Sequence, residues 1–399
     1  MRIGINGRFL VAIQTGVQRA AYNLVKTLFE VDRDNEYILF TGKGQIDNPD
    51  WNFPNVKVVA SDLKIGENFK NHLWEQFVLP SLARKHCIDI LHSPANIAPL
   101  FYTGKSIVHI HDLCFVVNPQ WYTYLFRTVY NFIIPRLVKR ATRIITNSNN
   151  SRNDLFLFCG ADADKVSLVY WAVDQSFAPG KESEYKERKE DGKDQYILYV
   201  GSLEPRKNIN TLVEAYELMR NSNPDIRTKL VLIGGESPLF ADVRLKIKKY
   251  REDVIFKGFV NDVMLKKYYR NALLVAYPSL YEGFGLPPLE AMASGVPVVT
   301  SNTSSIPEVV GEAALLVNPN DKEQLASVLA QVIKNKELRN NLSDAGLQQV
   351  KNFNWYKVAR RIIAIYHEVY HEGVPHRNMP FEIWDELRKL EMRRVIPSS

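Results

Sequence analysis

Short apolar runs recur along the whole chain, each followed by a stretch of helical periodicity. They are RIGIN, YILF, VKVV, DILHS, SIVHIHD and RIITNS, then YILYVG, KLVLIGG, VIFKGF, LLVAYPS, PVVTS and ALLVNP. Continuous Val/Ile/Leu runs alternating with helices belong to parallel sheets covered on both faces. The series breaks once: QSFAPGKESEYKERKEDGKDQ, from Gln175 to Gln195, is charged and poor in apolar residues and reads as a linker. Six strands precede it and six follow. The fold class expected is therefore α/β, with two doubly wound, Rossmann-like domains facing across a cleft. They cover residues 1–175 and 195–355, joined by a linker at 176–194 and followed by a C-terminal helix and polar, basic tail over 356–399. Ligands of such sheets sit beyond the carboxyl ends of the strands, so the site belongs between the two halves.

The length of 399 residues with 46% hydrophobic content agrees with two cores. Cys87, Cys114 and Cys159 are far apart and form no CxxC pair, which argues against a disulfide framework or a zinc site and fits a reducing cytoplasm. The opening MRIGINGRFLVAI has too short an apolar core for a signal peptide and carries Arg2 and Arg8 within it, so it reads as a first strand. No run approaches the roughly 18 to 20 apolar residues of a membrane span. A formal charge of +7 and a pI near 9.0 suit a phosphate-rich partner without requiring one. No nucleic-acid partner is expected.

In LYEGFGLPPLEAMASGVPVV, residues 280–299, two glutamates stand eight positions apart. LLVAYPS reads as the strand before them, Pro287 and Pro288 suit the first turn of a helix, and Gly295 with Pro297 end it. Glu282 then lies on the loop after a strand and Glu290 in the first turn of the next helix, both at the ligand end of the sheet. Gly283 and Gly285 let backbone approach a ligand, and the N–H groups of a helix start favour an anion such as a diphosphate. The bland alternative makes Glu290 a complement to the helix dipole and Glu282 a solvated loop residue.

EGFGLPPLEA resembles the E-x7-E signature of the retaining glycosyltransferases of family 4, which have the GT-B fold. GSLEPRKNI, FKGFVND, SIPEVVGEAALLVNP, TGVQRAAYNL and HIHDL extend the resemblance to about residue 370. It implies that Glu282 holds the donor sugar and Glu290 the ribose of a nucleotide diphosphate sugar, with Gly283, Phe284, Gly285 and Leu286 lining the donor site between them. Arg206 and Lys207, following Gly201 and Ser202 at a strand end, would stabilise the leaving diphosphate. His111 would lie beside the transferred sugar, whereas His109 is internal; Asp112 either orients the imidazole or caps the loop. Gly16 resembles a flexible glycine loop over the donor phosphates, and Arg19 is expected at the acceptor. Val260 would meet the base through its backbone. Asp262 either reads guanine or caps a helix beginning at Val263, so the base stays open.

The expected function is retaining, metal-independent transfer of a hexose, with mannose as the candidate, to a hydroxyl of a glycan or lipid-linked glycan acceptor. Transfer would be front-face, with neither cofactor nor metal, in synthesis of a bacterial surface polysaccharide or glycolipid. A nucleotide-sugar epimerase of the same plan and a non-catalytic sugar-nucleotide binder are the alternatives. Asp32/Asp34 and Asp162/Asp164 match D-x-D but lie in polar connectors, and GINGRF lacks the GxGxxG spacing. Finally, Leu113 to Asn153 contains no acidic residue. Arg127, Arg136, Lys139, Arg140, Arg143 and Arg152 with Trp121, Tyr122, Tyr124, Phe126, Tyr130 and Phe132 suit an anionic membrane surface, making the chain peripheral on its cytoplasmic face. In the bland alternative these rings fill the domain core.

Overall fold

The computed structural model describes residues 1–10, 16–42, 48–61, 72–180, 195–235 and 253–372. Most of the expected linker, the tail after residue 372 and the residues just before Gly16 lie outside the described residues.

The apolar runs form two parallel sheets. The first has the order β3-β2-β1-β4-β5-β6-β7. Its strands are β1 Arg2–Asn6, β2 Glu36–Thr41, β3 Val56–Ala60, β4 Ile90–Ser93, β5 Lys105–His109, β6 Arg143–Thr146 and β7 Val166–Leu168. The second has the order β10-β9-β8-β11-β12-β13. These are β8 Tyr196–Val200, β9 Lys229–Ile233, β10 Val254–Gly258, β11 Leu274–Tyr277, β12 Val298–Ser301 and β13 Leu315–Val317. The seventh strand of the first sheet was not expected. It is the three residues VSL, in which Ser167 breaks the apolar run that marks the other strands.

Strand order reverses beside β1 and again beside β8, which opens a crevice at the carboxyl end of each sheet. Ile3 and Ile5 on β1, and Ile197 and Leu198 on β8, are fully buried. Each such side chain stabilises by about 1.5–3 kcal/mol.

The chain crosses between the domains near both ends of the second. Before β8, Phe177 meets the Tyr269 ring edge-on at 5.5 Å, and Arg270 Nε donates to the Ala178 carbonyl at 2.9 Å. After the second sheet, the helix Trp355–His371 packs against the helix Gly16–Val31 and β4. There Tyr366 Oη lies 2.6 Å from His92 Nδ1, and Lys105 Nζ donates to the Val369 carbonyl at 2.8 Å.

Part of the basic, aromatic segment is core. On and beside the helix Tyr124–Arg140, Tyr122, Phe126 and Tyr130 stack on one another and pack against the apolar cluster around Phe115. For these three rings the bland alternative holds. Tyr124 is 80% exposed, and Leu125 and Phe132 are exposed beside it on the same helix. Among the described residues no helix is long and apolar enough to cross a membrane.

Candidate active site

A cavity of about 470 Å³ opens between the carboxyl ends of the two sheets. It is lined by all the residues singled out above for catalysis or substrate binding except Glu290. The first domain contributes Gly16, Arg19, His111 and Asp112. The second contributes Gly201, Ser202, Arg206, Lys207, Val260, Glu282, Gly283, Phe284, Gly285 and Leu286. A smaller cavity of about 150 Å³ lies at the opposite, amino end of the second sheet, between Gln195, Arg270 and Arg339. That is not the end at which doubly wound sheets bind ligands.

Glu282 is buried, and its carboxylate accepts from three side chains. Lys207 Nζ donates to its Oε1 at 2.5 Å, Tyr277 Oη donates to the same oxygen at 2.8 Å, and Arg206 Nη1 donates to Oε2 at 3.2 Å. Burial alone would raise the carboxyl, but Lys207 and Arg206 outweigh it and bring it down to about 2. Burial likewise opposes the Arg206 charge, yet Glu282 and Glu204, the latter 2.7 Å away, hold the guanidinium protonated. Glu282 is therefore not the solvated loop residue of the bland alternative. It is an ion buried among cations that lie on the turn after β8.

Glu290 differs from the expectation in position. The helix is Leu286–Ala293, with Gly285 ahead of it in the left-handed region at φ 111°, so Glu290 lies one turn deeper than the first. Its carboxylate accepts from Tyr269 Oη at 2.8 Å and lies 3.9 Å from Nη2 of Arg19, which lines the cavity. Burial raises its pKa and Arg19 opposes the rise. Arg19 thus faces the second domain across the cavity, with Asp262 Oδ1 another 3.8 Å from the same nitrogen. Asp262 opens the helix Asp262–Asn271 but is not its cap. Asn261 is, accepting from the Met264 N–H at 2.9 Å. Gly16 opens a helix, where a loop was expected, and a Cβ on it would sit 3.6 Å from Leu286 across the cleft.

His111 is 2% exposed, and its ring lies 4.5 Å from that of Trp171. Nε2 donates to the Pro94 carbonyl at 3.1 Å, leaving Nδ1 as an unpaired acceptor; burial takes the pKa to about 3, so the ring is neutral. His109 is buried and stacks on His92. Of the two roles left open for Asp112, the structure shows the loop cap: Oδ1 accepts from the Cys114 N–H at 3.0 Å. Burial raises its carboxyl, with Arg206 opposing.

Several contacts here were not anticipated. The Asn147 amide, oriented with its nitrogen toward two carbonyls, donates to His111 O at 2.8 Å and Gly283 O at 3.2 Å. A Cβ on Gly283 would lie 2.7 Å from His111 O, so only glycine permits this approach of the domains. Glu308 seats its carboxylate on the first turn of the helix Asn149–Cys159, accepting from the N–H groups of Asn149 at 2.8 Å and Asn150 at 3.1 Å and from Tyr170 Oη at 2.9 Å. A helix start stabilises such an anion. Asn147, one residue beyond β6, was the one legible signal, a polar group at a strand's ligand end.

The D-x-D aspartates serve turns. Asp32 accepts from Asn35 Nδ2 at 2.7 Å and Tyr37 Oη at 2.6 Å, and Asp162 accepts from the Asp164 N–H at 3.1 Å.

Comparison with known proteins agrees with this geometry. Residues 14–177 match the model described as Glycosyltransferase Family 4, and residues 180–349 match that for Glycosyl transferases group 1. The chain is 32% identical over 288 residues to O-antigen chain mannosyltransferase B of Escherichia coli, covering 69% of this chain and 74% of that protein. Three other curated relatives are longer, and the match spans about a third of their length. Among solved structures, sucrose-phosphate synthase from Thermosynechococcus elongatus superposes with a TM-score of 0.74 at 20% identity, covering 93% of this chain and all of that one. Alr3699/HepE of Anabaena, solved in complex with UDP and glucose, gives 0.69 at 18% identity, covering 92% and 100%. Two facing parallel-sheet domains, a shared cleft lined by the E-x7-E segment, and these matches along both halves together establish that the chain belongs to the family 4 glycosyltransferases of GT-B fold.

Proposed function

We propose that the chain transfers a hexose, with mannose as the first candidate, from a nucleotide diphosphate sugar to a hydroxyl of a glycan or lipid-linked glycan. The observation that carries this reading is the Glu282 carboxylate held between Arg206 and Lys207 at the ligand edge of one sheet, with His111 on the other. A diphosphate entering the cleft offers these cations a second anionic partner, and Glu282 is then released to accept from sugar hydroxyls. The ribose is assigned to Glu290, which Tyr269 orients beside the cavity-lining Arg19. His111 lines the cavity from the first domain and is assigned a place beside the transferred sugar. As the bond from C1 to the phosphate oxygen breaks, the acceptor oxygen bonds to C1 from the same face and its proton passes to the leaving phosphate, so configuration is retained. Two fixed cations supply the charge stabilisation that a divalent metal would otherwise bring. The O-antigen chain mannosyltransferase relative supports both the choice of mannose and a setting in surface-polysaccharide synthesis.

This reading is tested by donor turnover in the presence of a chelator. Release of nucleoside diphosphate from a nucleotide diphosphate hexose is expected, and a strict requirement for added divalent metal would overturn the metal-independent mechanism.

The membrane expectation now rests on a narrower face. Tyr124, Leu125 and Phe132 are exposed on the helix Tyr124–Arg140, together with Arg136, Lys139 and Arg140, and the Arg136 guanidinium lies 3.6 Å over the Phe132 ring. Each cation at an anionic surface contributes about 1 kcal/mol. Co-sedimentation with anionic but not neutral liposomes is the expected result, lost when Arg136, Lys139 and Arg140 are changed to Glu. Wild-type protein that ignores anionic liposomes at low salt would remove this face from the proposal.

A further inference from the structure

One polar cluster at the carboxyl end of the first sheet has no part in the donor reading. β1 ends at Asn6, and Arg8 follows in the short turn Gly7–Leu10. Arg8 Nη1 donates to Glu75 Oε2 at 2.5 Å, while Glu75 Oε1 accepts from Asn6 Nδ2 at 2.6 Å. The Asn6 amide also donates to Ser93 Oγ, at the end of β4, at 3.2 Å. The Glu75 side chain is 1% exposed, that of Arg8 23%. Burying a carboxylate is costly unless it is paired and hydrogen-bonded. Here that cost serves to hold one guanidinium in a fixed direction just beyond the carboxyl end of β1. Glu75 stands on a π-helical turn, Trp74–Val78, a geometry that recurs at functional sites.

The position of the cluster follows from register. β1 pairs with β4 and β4 with β5, in the matches Ile5 to His92 and Ser93 to Val108. Arg8 therefore lies about two strand spacings, roughly 10 Å, from His111 and Asp112 along the same edge. Arg8 and Glu75 cancel in charge, and Asp112 adds a carboxyl group. A phosphate would find no excess of positive charge there, whereas neutral sugar hydroxyls would find donors and acceptors.

We propose that Arg8, locked by Glu75, binds the acceptor glycan through neutral sugar hydroxyls about one ring beyond the hydroxyl that reacts, and thereby sets which acceptor is extended. This assignment rests on the transferase reading above. It makes Arg8 an acceptor-positioning residue.

The test uses the full chain and the double variant Arg8→Ala/Glu75→Gln, in which no carboxylate is left buried without its partner. Arg8→Lys serves as the conservative control. The probes are a neutral mannoside oligosaccharide and an inositol phosphate as acceptors, and a nucleoside diphosphate titrated by calorimetry. For the folded double variant, the mannoside KM should rise about tenfold or more while nucleoside diphosphate affinity stays within about twofold, as for loss of a charge-assisted bond on the acceptor side alone. Arg8→Lys should lose less, and wild-type protein should favour the mannoside over the inositol phosphate. An unchanged mannoside KM, a parallel loss of nucleoside diphosphate affinity, or a preference for the phosphorylated acceptor would each overturn the assignment. A wild-type chain that releases no nucleotide from any sugar donor fails the transferase reading itself, and the role of Arg8 falls with it.

Discussion

Replacing Arg206 and Lys207 together by Ala is expected to weaken nucleoside diphosphate binding by about 100-fold or more and nucleoside binding by no more than about threefold. Each cation offers the diphosphate a charge-assisted bond worth roughly 1.5–3 kcal/mol, and the nucleoside presents no charge to either. Both cations lie on the turn after β8, where the strand ends at Val200 and delivers them to the cleft. The same change leaves Glu282 buried without its cations, so the variant is also expected to be less stable at neutral pH. Calorimetric titration of protein shown by circular dichroism to be folded separates the two effects. Equal losses for diphosphate and nucleoside would place these side chains away from the phosphates.

Glu282→Gln is expected to lower turnover by about 100-fold or more while nucleoside diphosphate affinity is kept or improved. The carboxamide retains a contact with Tyr277 but loses the charge-assisted bonds to sugar hydroxyls, together worth roughly 3–6 kcal/mol. It also removes the internal anion that competes with the diphosphate for Arg206 and Lys207. Steady-state kinetics and titration on one preparation give both quantities, and near-normal turnover would remove Glu282 from the sugar. The substitution has a pH signature as well. With its pKa held at about 2 in the fold against an ordinary 4.5, Glu282 contributes stability that is complete above the unfolded value and is lost as pH falls through the folded one. Wild-type protein should therefore lose on the order of 3 kcal/mol from this group between about pH 5 and pH 2. In the Gln variant that part of the acid dependence should be missing.

The two sheets were legible because parallel strands covered on both faces are written as unbroken apolar runs. β7 escaped because Ser167 interrupts the apolar pattern of VSL, whereas the equally short LLV of β13 keeps it. The lining residues were legible for a related reason: each follows a strand's carboxyl end or opens the next helix, and both are marked by glycine, proline or a sudden polar residue. Glu290 was misplaced by a turn because Pro287 and Pro288 mark a helix start without saying which residue is first. What could not be read was anything that depends on how the domains dock. The seat of Glu308 on the helix Asn149–Cys159, the Asn147 bridge between His111 and Gly283, and the direction of Arg19 toward Glu290 all join residues more than a hundred positions apart, with no local periodicity to announce them. The resting partners of Glu282 belong to the same class, since a glutamate and an Arg-Lys pair in separate motifs do not reveal that they neutralise one another.

The most direct measurement is the anomeric configuration of the product. The full chain would be incubated under chelator with nucleotide diphosphate hexoses, GDP-mannose among them, and a neutral mannoside acceptor, and the product followed by mass spectrometry and NMR. The expected result is an acceptor one hexose heavier, with the new linkage in the configuration of the donor. An inverted linkage, an epimerised free sugar, or no added hexose from any donor would contradict retaining transfer at this cleft.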